Sequence, residues 1–370
     1  MQKLHYVLFI FISNFIYSQN NFEINLTSDS YINDSLILGA PMTRNGFGDL
    51  YTFNIKPDKN ISKFGSDHSL YFLKIQKANL INGFIEYPQP VAFVYLDKKN
   101  KSASGTKIFF LEKGKYKIDL PQDINFLELN LDTPTNKEYK ALQKVLEKSY
   151  LKSNNLSQQD SLISLDKKQE LLGQYIKKNP NSYVALWEIV NDYTLYNYHP
   201  SYLKNMSLFS AKFKQNKLYK SVETHLKAEQ ATSIGQKIPD IYFDQQKKLT
   251  AEDFKKYKLT FIDYWSTTCA PCIKGMPEIV DLYHEYKDKN VNFITITDER
   301  EPNRMEQANS ILKKNNATWT NFFDVNKDFQ KKVNATSYPL HFIVDENGKI
   351  IARISNNIEE ARNIIKEYLQ

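Results

Sequence analysis

Cysteine is almost absent from this chain of 370 residues: there are two, Cys269 and Cys272. A fold stapled by several disulfides is thereby excluded. Bridging so short a loop removes little entropy from the unfolded chain, so chemistry explains the pair better than stability does. Glycine is sparse at 11, and nothing repeats with a collagen-like or solenoid period. No internal run of about 20 apolar residues exists, which excludes a multi-span membrane protein. Arginine supplies only five of the 49 basic residues. The lysine pairs (Lys98–Lys99, Lys167–Lys168, Lys177–Lys178, Lys247–Lys248, Lys313–Lys314, Lys331–Lys332) are dispersed among acids and apolar residues. Nucleic acid needs a clustered, Arg-rich stripe, so no nucleic-acid partner is expected and the pairs read as solvated faces.

What is present is an ordinary globular mix, with 41% hydrophobic and 25% charged residues, which argues against a largely disordered chain. Tyr (24) and Phe (23) supply ample material for strands and cores. The length suggests two or three domains. At the N-terminus Lys3 precedes the apolar run Val7–Ile12, then Phe15–Ile16–Tyr17–Ser18. One positive charge, a short apolar core and a small residue fit a secretory signal peptide over 1–18, cleaved after Ser18. The competing readings are a buried strand or a membrane anchor. No Cys follows the apolar core, which argues against a lipid-anchored form. Loss of Lys3 leaves 48 basic residues against 42 acidic and a mature charge of +6.

The fold class expected is multidomain. Residues 20–132 alternate apolar and polar positions, as in Tyr51–Ile55, Val91–Tyr95 and Lys115–Ile118, with turn signals at Asn45–Gly46, Asn82–Gly83, Lys113–Gly114 and Leu120–Pro121. That pattern predicts an all-β, sandwich-like domain. Residues 134–232 take helical spacing from Pro134 onward, predicting a central helical region of about five helices, with Ser182 as an N-cap and a break at His199–Pro200. Residues 233–370 alternate strand and helix: Leu259–Trp265, a helix through Tyr286, Val291–Thr297, a helix over Asn303–Lys314, a hairpin about Asn347–Gly348, and a last helix from Ile358 to Leu369. This predicts an α/β domain with a mixed sheet.

Cys269–Ala270–Pro271–Cys272 falls at the junction of the first buried strand and its helix. A helix N-terminus offers free N–H groups and partial positive charge, both of which favour a thiolate at Cys269. Cys272 lies one turn along, where it can attack a mixed disulfide formed by Cys269 and release the partner. Pro271 suits the first helical turn because its missing N–H costs nothing there. The pair could also be half a zinc site, but no other Cys exists, and His284 and His341, the two His of this zone, lack ligand spacing to it. No metal and no cofactor is expected.

Tyr264–Trp265–Ser266–Thr267–Thr268–Cys269–Ala270–Pro271–Cys272, followed by Pro277, resembles the thioredoxin-like proteins of the TlpA/ResA group. Ile234–Gly235 and Ile238–Pro239–Asp240 resemble that group's entry segment, and Tyr338–Pro339 its cis-proline loop. The resemblance implies a thioredoxin fold over 233–370, with Cys269 as nucleophile and Cys272 as resolving thiol. It aligns Asp263 with a buried carboxylate, a candidate proton acceptor for Cys272; the alternative is a strand-end Asp satisfied by backbone. It aligns Pro339 with a cis-proline that lets the Tyr338 backbone pair with a substrate strand. Trp265 and Thr268 fall beside the nucleophile as substrate-contact positions, with Trp265 more a shield than a participant. Pro277 is structural.

Two positions depart from the group. Thr268 stands where Trp is usual, and Gly275 where members serving cytochrome c maturation usually carry Glu. The Pro and Thr expected upstream of a peroxidatic Cys are replaced by Ile262 and Ser266, which makes peroxidase activity a minor option. Gly83–Pro88, Phe110–Ile118, Asn136–Tyr139 and Lys177–Ser182 resemble, more weakly, the β domain and helical region that precede the thioredoxin fold in Bacteroidetes proteins. That part implies docking or substrate selection, or a passive spacer. The function implied is an exported, periplasmic thiol–disulfide oxidoreductase that reduces protein disulfides. Its partners would be protein disulfide substrates and a membrane thiol electron donor, and the mature chain has no membrane span. The alternative is a non-catalytic cell-envelope binding or scaffold protein with the same fold; a disulfide-forming oxidant and a thiolate metal binder are minor options.

Overall fold

A computed structural model describes residues 20–41, 50–64, 69–97, 100–149 and 158–370. The expected signal peptide over 1–18, the Asn45–Gly46 turn and the Lys98–Lys99 pair lie outside the described residues. The chain divides into two compact units, the first built from the described residues of 20–41 and 51–139, the second from those of 42–50 and 140–370.

The first unit is a set of short strands: β1 (Phe22–Thr27), β2 (Ser35–Gly39), β3 (Asn54–Ile55), β4 (Ile61–Lys63), β5 (Leu70–Lys74), β6 (Ala78–Phe84), β7 (Gln89–Asp97), β8 (Ser102–Gly105), β9 (Phe109–Leu111) and β10 (Gly114–Asp119). They form two sheets, in the orders β10-β1-β6-β3 and β4-β5-β2-β7-β8, with β9 also paired to β7. Phe22, Ile24 and Leu26 of β1 and Leu36 and Leu38 of β2 belong to one shared core, so apolar side chains of the two sheets are buried together. The first strand and the last are parallel neighbours, Phe22 opposite Gly114 and Thr27 opposite Asp119. Asn82–Gly83 is not a turn, as expected from the sequence, but the interior of β6. A Cβ on Gly83 would stand 2.2 Å from the Asn54 carbonyl oxygen and 2.3 Å from Phe22 Cζ, so the glycine serves a close approach between strands.

In the second unit, α1 (Pro134–Leu146, which begins in the first) is followed by α2 (Gln158–Lys178), α3 (Tyr183–Tyr196), α4 (Pro200–Met206) and α5 (Lys217–Ala231). Ser182 caps α3, its hydroxyl accepting from the Ala185 N–H at 2.9 Å. Then come β11 (Ile241–Tyr242), β12 (Lys248–Leu249), α6 (Ala251–Phe254), β13 (Leu259–Trp265), α7 (Ala270–Tyr286), β14 (Val291–Thr297), α8 (Pro302–Lys314), β15 (Thr320–Phe323), α9 (Asp328–Lys332), β16 (Leu340–Asp345), β17 (Ile350–Ser355) and α10 (Ile358–Leu369). The five-stranded sheet runs β15-β14-β13-β16-β17, with β14 parallel to β13 and β15, and β16 antiparallel to β13 and β17. Every residue of β13 is buried, because both faces of the sheet are covered. Ile262 and Tyr264 point into one core, Leu259 and Phe261 into another shared with α7 and α10.

The helices and the mixed sheet meet at Glu229 of α5. Its carboxylate accepts from Arg353 of β17 at 2.9–3.0 Å, from Asn334 Nδ2 at 3.1 Å and from the Tyr193 hydroxyl at 2.5 Å. Arg353 also donates to Thr232 Oγ1 and to the Asn334 carbonyl. These charge-assisted bonds tie α3 and α5 to the segment that leads into Tyr338–Pro339.

Candidate active site

β13 delivers the chain to the carboxyl end of the sheet, and Ser266–Thr268 turn it into α7. Cys269 is the N-cap of α7, its sulfur accepting the Cys272 N–H at 3.1 Å. The two sulfurs are joined in a disulfide. Cys269 is 9% exposed and Cys272 3%, so the first residue of the pair is the more exposed, while Cys272 lines the cavity described below. Pro271 lies in the first turn of α7, and Pro277 stands inside it, where its ring nitrogen cannot donate to Ile273. Tyr338–Pro339 is a cis peptide bond. Pro339 and Cys272 line the same cavity of about 570 Å³, together with Gly275, Glu278 and His341.

The site residues expected from sequence fall into three groups. Cys269, Cys272, Pro271 and Pro339 come together around the disulfide and the cavity. Thr268 is exposed and Tyr338 half-buried, both open to a partner. Trp265, expected beside the nucleophile and more as a shield than a participant, is 0% exposed and packs with the cysteines, Met276, Ala308 and Leu312. The cause is β13, whose covered faces leave no outlet for its last side chain. Asp263 is buried in β13, directly across from His341 of β16, with Oδ1 3.1 Å from His341 Nδ1.

Three residues escaped the sequence reading. Glu299, just beyond β14, accepts from the Thr267 N–H at 2.8 Å, the Thr267 hydroxyl at 2.5 Å and the Ser266 hydroxyl at 3.0 Å. Arg304 of α8 donates to the same Thr267 hydroxyl at 3.2 Å. Burial pushes the Glu299 carboxyl up, but the bonds from Thr267 and Ser266, with Arg304 nearby, bring it below the usual carboxylate range. Together they fix the turn that aims Cys269. His341 is the third. The only sequence signal for Glu299 was its place at the carboxyl end of a strand beside β13, where α/β sheets gather their functional groups. Tyr338 donates to Asp298, which Lys327 approaches to 3.5 Å; burial and then Asp298 push its phenol well up, so it stays a neutral donor. Among the described residues no group of three or more His, Cys, Asp or Glu could hold a metal ion, and no helix is long and apolar enough to cross a membrane.

A redox-capable cysteine pair at a helix N-terminus, opposite a cis-proline, can be set beside known proteins. The Redoxin family profile matches residues 233–369. The thioredoxin-like protein YneN of Bacillus subtilis is 31% identical over 134 residues, which cover 35% of this chain and 75% of that protein. The chain belongs to the thioredoxin-like thiol–disulfide oxidoreductases of TlpA/ResA type. The thiol-disulfide oxidoreductase ResA of Bacillus thuringiensis subsp. konkukian is 29% identical over 145 residues, 38% of this chain and 80% of ResA. A solved structure of a thiol:disulfide interchange protein DsbE from Chlorobium tepidum is 21% identical, covers 37% of this chain and 99% of its own, and has a TM-score of 0.33. In this TlpA/ResA-type chain the disulfide sits in the matched segment, and the strands of the first unit lie outside it.

Proposed function

We propose that the chain is an exported, periplasmic oxidoreductase that reduces protein disulfides. Cys269 attacks the substrate disulfide as a thiolate, and Cys272 resolves the mixed disulfide. A membrane thiol carrier then restores the dithiol. The observation that carries this reading is Cys269 at the N-cap of α7, accepting the Cys272 N–H and more exposed than its partner. Asp263 is the proposed proton acceptor for Cys272. The cis Pro339 and the half-buried Tyr338 form the edge along which a substrate strand would lie. Glu299 and Arg304 hold the preceding turn. Export rests on the segment 1–18.

The test is covalent capture together with a reduction potential. Cys272→Ser should accumulate mixed disulfides on Cys269, identified by mass spectrometry after non-reducing separation. A binding protein without turnover captures none. Equilibration of the pair against glutathione and dithiothreitol buffers should give a potential near or below about −250 mV. A value near about −120 mV would make it an oxidant and reverse the direction of electron flow.

A further inference from the structure

We propose that His341 is the positioning residue that carries the proton between the buried Asp263 and the cavity beside Cys272. The inference rests on the roles proposed above for Cys272 and Asp263. A carboxylate that takes up a proton in every catalytic cycle must also release it. Asp263 is 1% exposed and does not line the cavity. Its register neighbour on β14 is Thr295, whose hydroxyl is spent on Asn321 Oδ1 at 2.8 Å. Its register neighbour on β16 is His341, with Nδ1 at 3.1 Å; His341 is itself 1% exposed, but it is among the residues that line the cavity, with Cys272 and Pro339. His341 therefore touches Asp263 and belongs to the wall of the cavity that Cys272 also lines.

The chemistry of the pair argues for a moving proton. An imidazole has two nitrogens that can take up and release protons separately, which a relay requires. The ring is held flat on Phe261, with centroids 5.4 Å apart at 25°. Among the described residues, neither carboxylate oxygen of Asp263 and neither nitrogen of His341 makes an aligned hydrogen bond; the 3.1 Å approach is a close contact without that alignment. Leaving such groups buried and unsatisfied costs about 1–3 kcal/mol each, so a merely structural position in β16 would favour an aliphatic residue like its neighbours Ile343 and Val344. The charged or titratable groups facing the cavity are Cys272, Lys274 and Glu278 from α7, the latter two exposed. Asp263 reaches it only through His341, and the turn after β17 contributes the uncharged Asn356 and Ile358.

The step balances within the proposed reaction. In the mixed disulfide, Cys269 Sγ is bonded to a substrate sulfur. Cys272 gives its thiol proton to the Asp263–His341 pair, and its sulfur bonds to Cys269 Sγ. The bond from Cys269 to the substrate breaks, and its electron pair leaves on the substrate sulfur as a thiolate. The protein dithiol is oxidised by two electrons, and the substrate disulfide is reduced by two. His341 then passes the proton to water in the cavity.

The experiment mixes the reduced full-length protein with 5,5′-dithiobis(2-nitrobenzoate) in stopped flow across the range from acid to alkaline pH. The first thionitrobenzoate released reports attack by Cys269, and the second reports resolution by Cys272. In the wild type the second phase should level off above the pH at which the pair gives up its proton. In His341→Gln it should be slower by about 10- to 100-fold at the acid end. It should also keep climbing toward the ordinary thiol range near about 8.5 instead of levelling off. A second phase in His341→Gln with the wild-type pH profile overturns the inference. Cys272→Ser separates it from the reading beneath: a second phase that persists in that variant refutes resolution by Cys272, whatever His341 does. If His341→Gln fails to fold, the His341 ring nitrogens of the wild type are followed by NMR. A titration that shifts between the disulfide and dithiol forms supports the relay, and a ring indifferent to both pH and redox state overturns it.

Discussion

The two units build their sheets in opposite ways. In the first, β1 alternates: it is buried at Phe22, Ile24 and Leu26, half-buried at Glu23 and Thr27, and exposed at Asn25. In the second, β13 and β16 are buried at every position. A sheet packed on one face can bury apolar side chains but leaves its polar ones in water. A sheet covered on both faces can hold Asp263 and His341 buried and close together, and it is the unit with the covered sheet that carries the cysteine pair. Phe261→Ala should therefore be among the most damaging substitutions outside the site, since the ring sits between Phe293 and His341 in a core that cannot collapse freely. The expected cost is about 3–5 kcal/mol. Leu80→Ala on β6, where Leu80 is 51% exposed, should cost under about 0.5 kcal/mol. Hydrogen exchange on the full chain, mapped to peptides of each unit, reads both. Equal losses would erase the distinction.

The helices before the mixed sheet sharpen the comparison, because they bury charge. Lys168 of α2 lies 2.5 Å from Asp192 and 2.9 Å from Glu188, both on α3, and Gln169 Nε2 donates to Asp192 at 2.6 Å. Burial pushes the Asp192 carboxyl up; Lys168 pulls it down, Glu188 pushes it up again, and the result is about 6. Between the ordinary carboxylate range and about 6, the folded chain keeps a proton that the unfolded chain has released. Asp192 accordingly makes stability fall as pH rises through that interval, by on the order of 2–3 kcal/mol in all. Urea unfolding of the wild type and Asp192→Asn between pH 4 and 7 measures it. The wild type should lose stability relative to Asp192→Asn as pH rises. A constant difference would mean that folding leaves the proton affinity of Asp192 unchanged.

Much of the second unit was legible because its signals are local. Leu259–Trp265 reads as a strand from seven consecutive residues, and Cys269–Cys272 needs only four. What was hidden depends on partners far along the chain. The edge strand β15 pairs on one side only, and its polar Thr320 and Asn321 break the apolar run that marked its neighbours. The parallel pairing of β1 with β10 joins residues more than 90 positions apart, and alternation says which side chains are buried but not which strands are neighbours. The same holds in the site. Cys269 and Pro271 were found by spacing. Glu299 and His341 were missed because a carboxylate after one strand and an imidazole in another meet the site only once the register is set. Sequence adjacency put Trp265 beside the nucleophile but does not tell the buried face from the open one, and the ring lies on the buried side.

Glycine gives the finest test of the contrast between the units. Gly83 in β6 has no room for a methyl group, because the Asn54 carbonyl oxygen would lie 2.2 Å from it and backbone cannot swing aside. Gly275, inside α7, would place the same methyl in open space, with nothing within 4 Å. Gly83→Ala should destabilise the first unit by about 1–3 kcal/mol through overpacking. Gly275→Ala should stabilise the second by roughly 0.5–1 kcal/mol, because alanine loses less backbone freedom than glycine in a helix interior. Peptide-resolved exchange should show protection falling around β1, β3 and β6 in the first variant and rising along α7 in the second. Gly275 also lines the cavity beside Cys272, so the added methyl lies where a bulky partner chain would enter. A gain in stability with slower exchange on a protein substrate, but unchanged reaction with a small disulfide, would make Gly275 an opening kept for the substrate. Equal rates on both would leave the residue as a helix position where glycine costs stability without serving the reaction.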